Sequence, residues 1–161
     1  MKKSSNNNGE RGVTLIEMLV VVVIIAVLVG IVFPSAMSGL DSIRLASTSD
    51  NVAAFLSAAV NRSERRQQML ELTVSKAENA IILRAVPNYE KRIELPQGIF
   101  ISAILPDVPT DPDLPRHFLL YPGGAPPRVG VRLANRKGGQ RIVSLDPVTG
   151  VPVIERLANA Q

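Results

Sequence analysis

The chain has 161 residues, no cysteine, one histidine and a formal net charge of +4 at pH 7. These counts exclude a disulfide framework, and they leave too few ligands for a cysteine and histidine zinc site or for a histidine-based catalytic triad. The composition therefore argues against an enzyme, and the charge is too small to indicate a general nucleic-acid binder.

An apolar run near the N-terminus is the first predicted element. A single acid, Glu17, stands at the entrance to residues 18–33, which carry no charge. A carboxylate at the edge of a membrane segment is costly and is usually kept for function. As a helix rising about 1.5 Å per residue, residues 13–34 would cover roughly 30 Å, the thickness of a bilayer core. We predict a transmembrane helix there, with a kink or boundary at Gly30 and Pro34.

This region resembles the N-terminus of type IV pilins and of the pseudopilins of type II secretion. The features that carry the resemblance fall in order and in register: Lys2, Lys3 and Arg11 in a leader, Gly12, then Thr14, Leu15, Ile16 and Glu17, the apolar run, and Pro34. Val13 departs from the pattern, because the family usually has Phe or Met there. A plain signal anchor would explain the basic flank and the apolar run, but not Gly12, Thr14 and Glu17 at this spacing.

The resemblance implies that a prepilin peptidase cuts between Gly12 and Val13 and methylates the new amine. It also implies that Glu17 neutralises the amine of a neighbouring subunit inside a filament. The residues implied for assembly are Glu17, Thr14, Leu15, Ile16 and Pro34. The basic leader favours a cytoplasmic N-terminus, so the rest of the chain is expected on the periplasmic side of the inner membrane. The leader carries +2, so cleavage would leave +2.

Residues 35–68 are predicted to continue as an amphipathic helix. The apolar residues of this segment recur at helical spacing and form one stripe: Val52, Phe55, Leu56, Ala59 and Val60. The polar residues 47–50 predict a bend where the helix restarts. We expect the stripe to pack on a sheet and the polar cluster at 62–68 to end the helix.

The hydrophobic period then changes from helical to two. Strands are predicted at 70–74, 80–86, 92–95, 99–105, 117–121, 129–133, 141–145 and 151–156, with Gly- and Pro-rich turns between most of them. This pattern favours an antiparallel β-rich domain over residues 69–161, packed against the second half of the helix. The predicted fold class is therefore α+β and pilin-like, and Pro152 is expected at a sheet edge or a bulge.

Residues 106–115 form a predicted irregular loop with four prolines and three aspartates, Asp107, Asp111 and Asp113. Several carboxylates raise the alternative of a Ca²⁺ site. The spacing does not match an EF-hand loop, so we expect an ordinary exposed loop. No cofactor is expected.

A second, shorter resemblance lies in the β-rich part. Leu95-Pro96-Gln97-Gly98-Ile99 is similar to an element of the H-type minor pseudopilins and of the related FimT minor pilins. The stretch 142–150, which ends in Thr149-Gly150, resembles their terminal hairpin. The two resemblances together imply a minor pseudopilin, a structural subunit that assembles with other major and minor pseudopilins into a short periplasmic filament for protein secretion.

Two other functions stay open. The first is a FimT-like minor pilin that binds DNA for uptake. Residues 115–161 carry a local balance of +5, and the candidate DNA contacts are Arg128, Arg132, Arg136, Lys137 and Arg141. We expect Arg128 and Arg132 to share a strand face, but no aromatic residue lies among these cations to stack bases, so a nucleic-acid partner is not expected. The second is an enzyme on a signal anchor, which the scattered acids and single histidine disfavour.

Overall fold

The computed structural model describes residues 14–157 apart from Thr110 and Pro112, and describes side chains outside residues 32–38. The leader, Gly12 and Val13 lie outside the described residues. The chain divides into two compact units, Met1–Met37 and Ser38–Gln161. One helix, α1 (Leu15–Arg66), contributes to both.

Helix α1 runs without a break from Leu15 to Arg66, so it does not end at Gly30 or Pro34, and the predicted restart at residues 47–50 is wrong. At the second place the reason is local. Ser49 is buried and its hydroxyl donates a hydrogen bond to the carbonyl oxygen of Leu45 at 2.7 Å. The polar side chain is thereby satisfied within the helix and does not act as a cap.

The helix ends two residues earlier than predicted, in a Schellman motif. Gln67 has a φ of 49°, in the left-handed region. Its N–H donates to the carbonyl oxygen of Glu64 at 3.4 Å, and the N–H of Gln68 donates to that of Ser63 at 3.2 Å. These two bonds satisfy carbonyl groups that a helix end leaves unpaired.

Eight strands follow the helix: β1 (Leu70–Ser75), β2 (Ala80–Ala85), β3 (Tyr89–Glu94), β4 (Ile99–Leu105), β5 (Arg116–Leu120), β6 (Gly130–Asn135), β7 (Gln140–Leu145) and β8 (Pro152–Leu157). They form two four-stranded antiparallel sheets, with the orders β3-β2-β1-β5 and β4-β6-β7-β8. The α+β, pilin-like fold class is confirmed. Pro152 begins the edge strand β8, as predicted.

A single hydrophobic core joins the helix to both sheets. The helix contributes its predicted stripe, with Val52, Phe55, Leu56 and Ala59 buried and Val60 packed at the margin. The inner faces of the two sheets contribute Leu, Val and Ile side chains such as Leu72 and Leu133. The whole core lies within the unit Ser38–Gln161, so the buried apolar surface that stabilises this unit is its own.

Asn79 links the two sheets. It occupies the turn between β1 and β2 with a φ of 49°. Its side-chain amide donates to the carbonyl oxygen of Ile99 at 2.8 Å, and its side-chain oxygen accepts from the N–H of Ile101 at 3.0 Å. Because Asn tolerates the left-handed region and carries both a donor and an acceptor, it pairs with β4 as a strand backbone would.

Candidate assembly and processing segment

Thr14 caps the first turn of α1. Its carbonyl oxygen accepts from the backbone N–H groups of Glu17 at 3.1 Å and Met18 at 3.2 Å. Its hydroxyl oxygen accepts a third bond, from the N–H of Glu17 at 3.3 Å. Thr at the N-cap with Glu three residues later matches the sequence signature of a capping box, of which the bonds to Thr14 form one half, and the Glu carboxylate lies where the helix dipole favours negative charge. The sequence analysis missed this local role, although the spacing of Thr14 and Glu17 signals it.

The side chains of residues 14–31 are all exposed in the single chain. Leu15 and Ile16 are 86% and 69% exposed, and the apolar residues that follow stay about half exposed. A continuous apolar surface of this kind marks a site of contact with a membrane or with other protein chains. The exposed carboxylate of Glu17 stands at the beginning of that surface, with no ion-pair partner among the described residues.

The processing pair Gly12 and Val13 lies outside the described residues, and the side chain of Pro34 is not described. Within the described residues, no helix meets the combined length and apolarity of a membrane span.

The five cations proposed for DNA do not share one face. Arg128 precedes β6 instead of lying on it, so its predicted alignment with Arg132 along a strand is wrong. Arg132 is directly opposite Ile142, whereas Arg141 is directly opposite Leu133. Adjacent residues of a strand point to opposite faces, so Arg132 and Arg141 lie on opposite faces of the sheet. Arg136 is exposed in the β6–β7 turn.

A different set of cations does meet. Lys137 and Arg141 line a cavity together with Arg156, which the sequence analysis did not single out. The β7–β8 hairpin was the sequence signal that could have predicted this cluster. A turn at residues 146–150 pairs Leu145 with Pro152, and the same ladder pairs Arg141 with Arg156.

The β7–β8 turn is held by Asp146. Its carboxylate accepts from the backbone N–H groups of Thr149 at 2.7 Å and Val148 at 2.9 Å, and from the Thr149 hydroxyl at 3.0 Å. These bonds, the backbone bond from Thr149 foremost, lower the pKa of Asp146 below its ordinary value. Gly150 closes the turn with a φ of 70°, and a Cβ there would lie 3.1 Å from Pro126 and 3.4 Å from Val60. The turn after Asp146 therefore uses Thr149 for its hydrogen bonds and Gly150 for its backbone conformation.

The loop at residues 106–115 is irregular where it is described. Asp111 accepts from the N–H of Asp113 at 3.0 Å, and Asp113 lies 3.9 Å from Lys76. Among the described residues, no three His, Cys, Asp or Glu side chains are placed to hold a metal ion.

A family model described as the prokaryotic N-terminal methylation motif matches residues 7–33. Neither a search of curated proteins nor a search of solved structures gave a significant match. The matched motif, the single long helix and the two antiparallel sheets together support a type IV pilin-like protein. A motif of this type implies processing by a prepilin peptidase, a membrane anchor and assembly with other pilins. Pilin-like proteins are generally structural proteins and not enzymes.

Proposed function

We propose that the chain is a minor pseudopilin of the H type, a structural subunit of the type II secretion pseudopilus. The methylation motif carries the proposal, because its match covers residues 7–33, which include Gly12, Thr14 and Glu17. The Thr149-Gly150 hairpin and the Leu95–Ile99 element, in which the Ile99 N–H donates to the carbonyl oxygen of Pro96 at 3.1 Å, support the H-type assignment.

In this proposal each part of the chain has one task. Residues 1–12 are a leader that is removed, and residues 13–34 hold the subunit in the bacterial inner membrane as a single pass. Residues 35–68 connect that anchor to the periplasmic domain, 69–161. Glu17 then neutralises the methylated N-terminal amine of a neighbouring pseudopilin, and Thr14, Leu15, Ile16 and Pro34 contribute to assembly along the same helix.

DNA uptake by a FimT-like minor pilin is the alternative. The separation of Arg128, Arg132 and Arg141 weighs against it, since a duplex is bound through many phosphate contacts on one continuous surface. The strands β6 and β7 carry no aromatic residue themselves, and the exposed Phe100 lies on the neighbouring strand β4, opposite Ala134. We therefore retain secretion as the proposed function.

Deletion of the gene separates the two functions. We expect folded substrates of type II secretion to accumulate in the periplasm, and the frequency of natural transformation to stay unchanged. Complementation with the wild-type chain is expected to restore secretion. Normal secretion in the deletion strain, together with a loss of transformation, would refute the secretion assignment and favour DNA uptake.

A further inference from the structure

A cationic cavity lies where the hairpin β7–β8 meets the first helical residues of the unit Ser38–Gln161. Its volume is about 200 Å³, and the side chains that give it its charge are Lys137, Arg141 and Arg156. Ser42 and Leu45 of α1 form the facing wall. The cavity thus combines three basic side chains with polar and apolar wall residues.

The two arginines are an unusual cross-strand pair. Arg141 and Arg156 are directly opposite each other on β7 and β8, so their side chains share a face. Among the described residues, neither guanidinium has a hydrogen bond or an ion pair. On the helix side, Asp41 forms an ion pair with Lys137 at 3.2 Å. Like charges directly opposite each other on a sheet are destabilising, so a bound anion would relieve the repulsion.

The chemistry of the cavity suits a phosphate group. A guanidinium presents a planar fork of donors that matches phosphate oxygens in pairs, and two such forks are available here. The ammonium of Lys137 lies at the rim, where Asp41 pairs with it, so the two guanidinium groups are the main anion donors. Asn135, which also lines the cavity, fixes this rim because its side-chain oxygen accepts from the N–H groups of Lys137 at 3.1 Å and Gly139 at 2.8 Å.

The surroundings favour a lipid headgroup over a nucleic acid. None of the described residues that line the cavity is aromatic, and Arg128 and Arg136 are not among them. These residues therefore provide neither base stacking nor a run of phosphate contacts. Asp41 lies only a few residues after Pro34, the end of the proposed anchor. Even a fully extended chain spans at most about 3.5 Å per residue, so Asp41 stays close to that end. The chain itself therefore keeps the cavity near the surface of the membrane.

We propose that this cavity binds the phosphate of an anionic phospholipid headgroup, and so holds the periplasmic domain on the membrane before assembly. The proposal rests on the membrane anchoring in the proposed function, but not on the secretion assignment. Headgroup binding can be measured without filament assembly, so one proposal can be refuted while the other stands.

The test uses the full chain, purified in a neutral detergent, with bound lipids counted by native mass spectrometry during titration with phosphatidylglycerol or phosphatidylcholine. The double variant Arg141→Gln/Arg156→Gln removes the paired guanidinium groups. The matched control, Arg128→Gln/Arg136→Gln, removes the same charge from exposed positions outside the cavity. Arg156→Gln alone serves as a milder variant, because Arg156 is exposed and its replacement leaves the core untouched.

We expect the wild-type chain and the control to prefer phosphatidylglycerol, and the double variant to bind it at least about tenfold more weakly, as the loss of charge-assisted hydrogen bonds predicts. Without lipid, the double variant should unfold at the same or a higher temperature, because the repulsion is gone. Equal phosphatidylglycerol binding by the double variant and the control would overturn the proposal.

Two further additions identify the source of the phosphate. Inorganic phosphate at millimolar concentration should leave the bound phosphatidylglycerol in place, and displacement would mean that free phosphate is the ligand. A short DNA duplex should bind the wild type and the double variant equally weakly. DNA binding that depends on Arg141 and Arg156 would overturn the lipid assignment.

Discussion

The hydroxyl oxygen of Thr14 accepts a hydrogen bond from the backbone N–H of Glu17 at 3.3 Å, which joins the two polar residues of the N-terminal motif in one helix cap. In this contact the side chain of Thr14 and the backbone of Glu17 take part. The contact leaves the carboxylate of Glu17 exposed and available to a second chain. The motif therefore serves two purposes, the start of the helix and the charge offered to a partner, and substitutions at Glu17 separate them.

Replacement of Glu17 by Gln should impair assembly as severely as replacement by Val. Gln has nearly the same size and is accepted at this position of a capping box, so it preserves the helix start and removes only the charge. Loss of one member of a buried ion pair is strongly destabilising. We expect the yield of crosslinked complexes with other pseudopilins to fall at least about tenfold for both variants, while membrane insertion continues.

Asp50→Asn is the matched control, since it removes an exposed carboxylate from the same helix far along the chain. Its crosslinking yield should equal that of the wild type. If the Glu17→Gln variant assembles normally and only the Val variant fails, capping and not charge is the role of Glu17.

A fragment that begins at Ser38 should fold alone as a monomeric α+β domain. All residues of the hydrophobic core lie within the unit Ser38–Gln161, and the apolar stripe of the helix is covered by the sheets of the same unit. Circular dichroism should show mixed helix and strand signals, and sedimentation should give the monomer mass. A disordered fragment, or one that is mainly helical, would contradict this arrangement.

Gly150→Ala should destabilise this fragment by about 1–3 kcal/mol. Part of the lost stability comes from the left-handed backbone conformation, which costs free energy for a residue that has a Cβ. The rest comes from crowding against Pro126 and Val60. Gly138→Ala is the matched control, because its φ is 82° but a Cβ there has no neighbour within 4 Å. It should cost about 1–2 kcal/mol, from the backbone alone. Chemical denaturation measures both, and equal losses would show that Gly150 is not crowded.

The hairpin turn should make stability depend on pH through Asp146. The hydrogen bonds from Thr149 and Val148 lower the pKa of the folded carboxyl below its ordinary value of 3.8. The ionised group therefore stabilises the folded chain above about pH 4, and this contribution is lost as the pH falls through the lower, folded-state pKa. Asp146→Asn should lower the unfolding temperature at pH 7 and lose less stability than the wild type between pH 5 and about pH 2. If the stability of both proteins changed with pH in the same way, this role of Asp146 would be contradicted.

The local pattern of apolar, polar and proline residues was sufficient to predict much of the fold. The stripe Val52–Ala59 is visible because helical spacing repeats, and the edge position of Pro152 follows from its missing N–H. The division into two sheets was not predicted, since strand partners far apart in sequence are chosen by core packing that no local pattern records. The same limit applied to the charged residues. Arg132 and Arg141 are close in sequence, but the pairing register decides that they lie on opposite faces.

At the site, the predictable part was the motif itself, because Gly12, Thr14 and Glu17 have fixed spacing. The capping bond from Glu17 to Thr14 was equally readable from that spacing and was missed. The cationic cavity needed the β7–β8 ladder, since only that pairing brings Arg156 to Arg141. Residue contacts that depend on the register of strands far apart in sequence could therefore be identified only from the three-dimensional structure.

Cleavage and methylation at the leader decide whether the chain is processed as a pilin-like subunit. The measurement is the intact mass of the protein extracted from membranes of a cell with an active prepilin peptidase. We predict a mature chain that begins at Val13 and carries one added methyl group on its amine, because the motif at residues 7–33 is of the N-terminal methylation type. A mature chain that still begins at Met1 in such a cell would contradict the account.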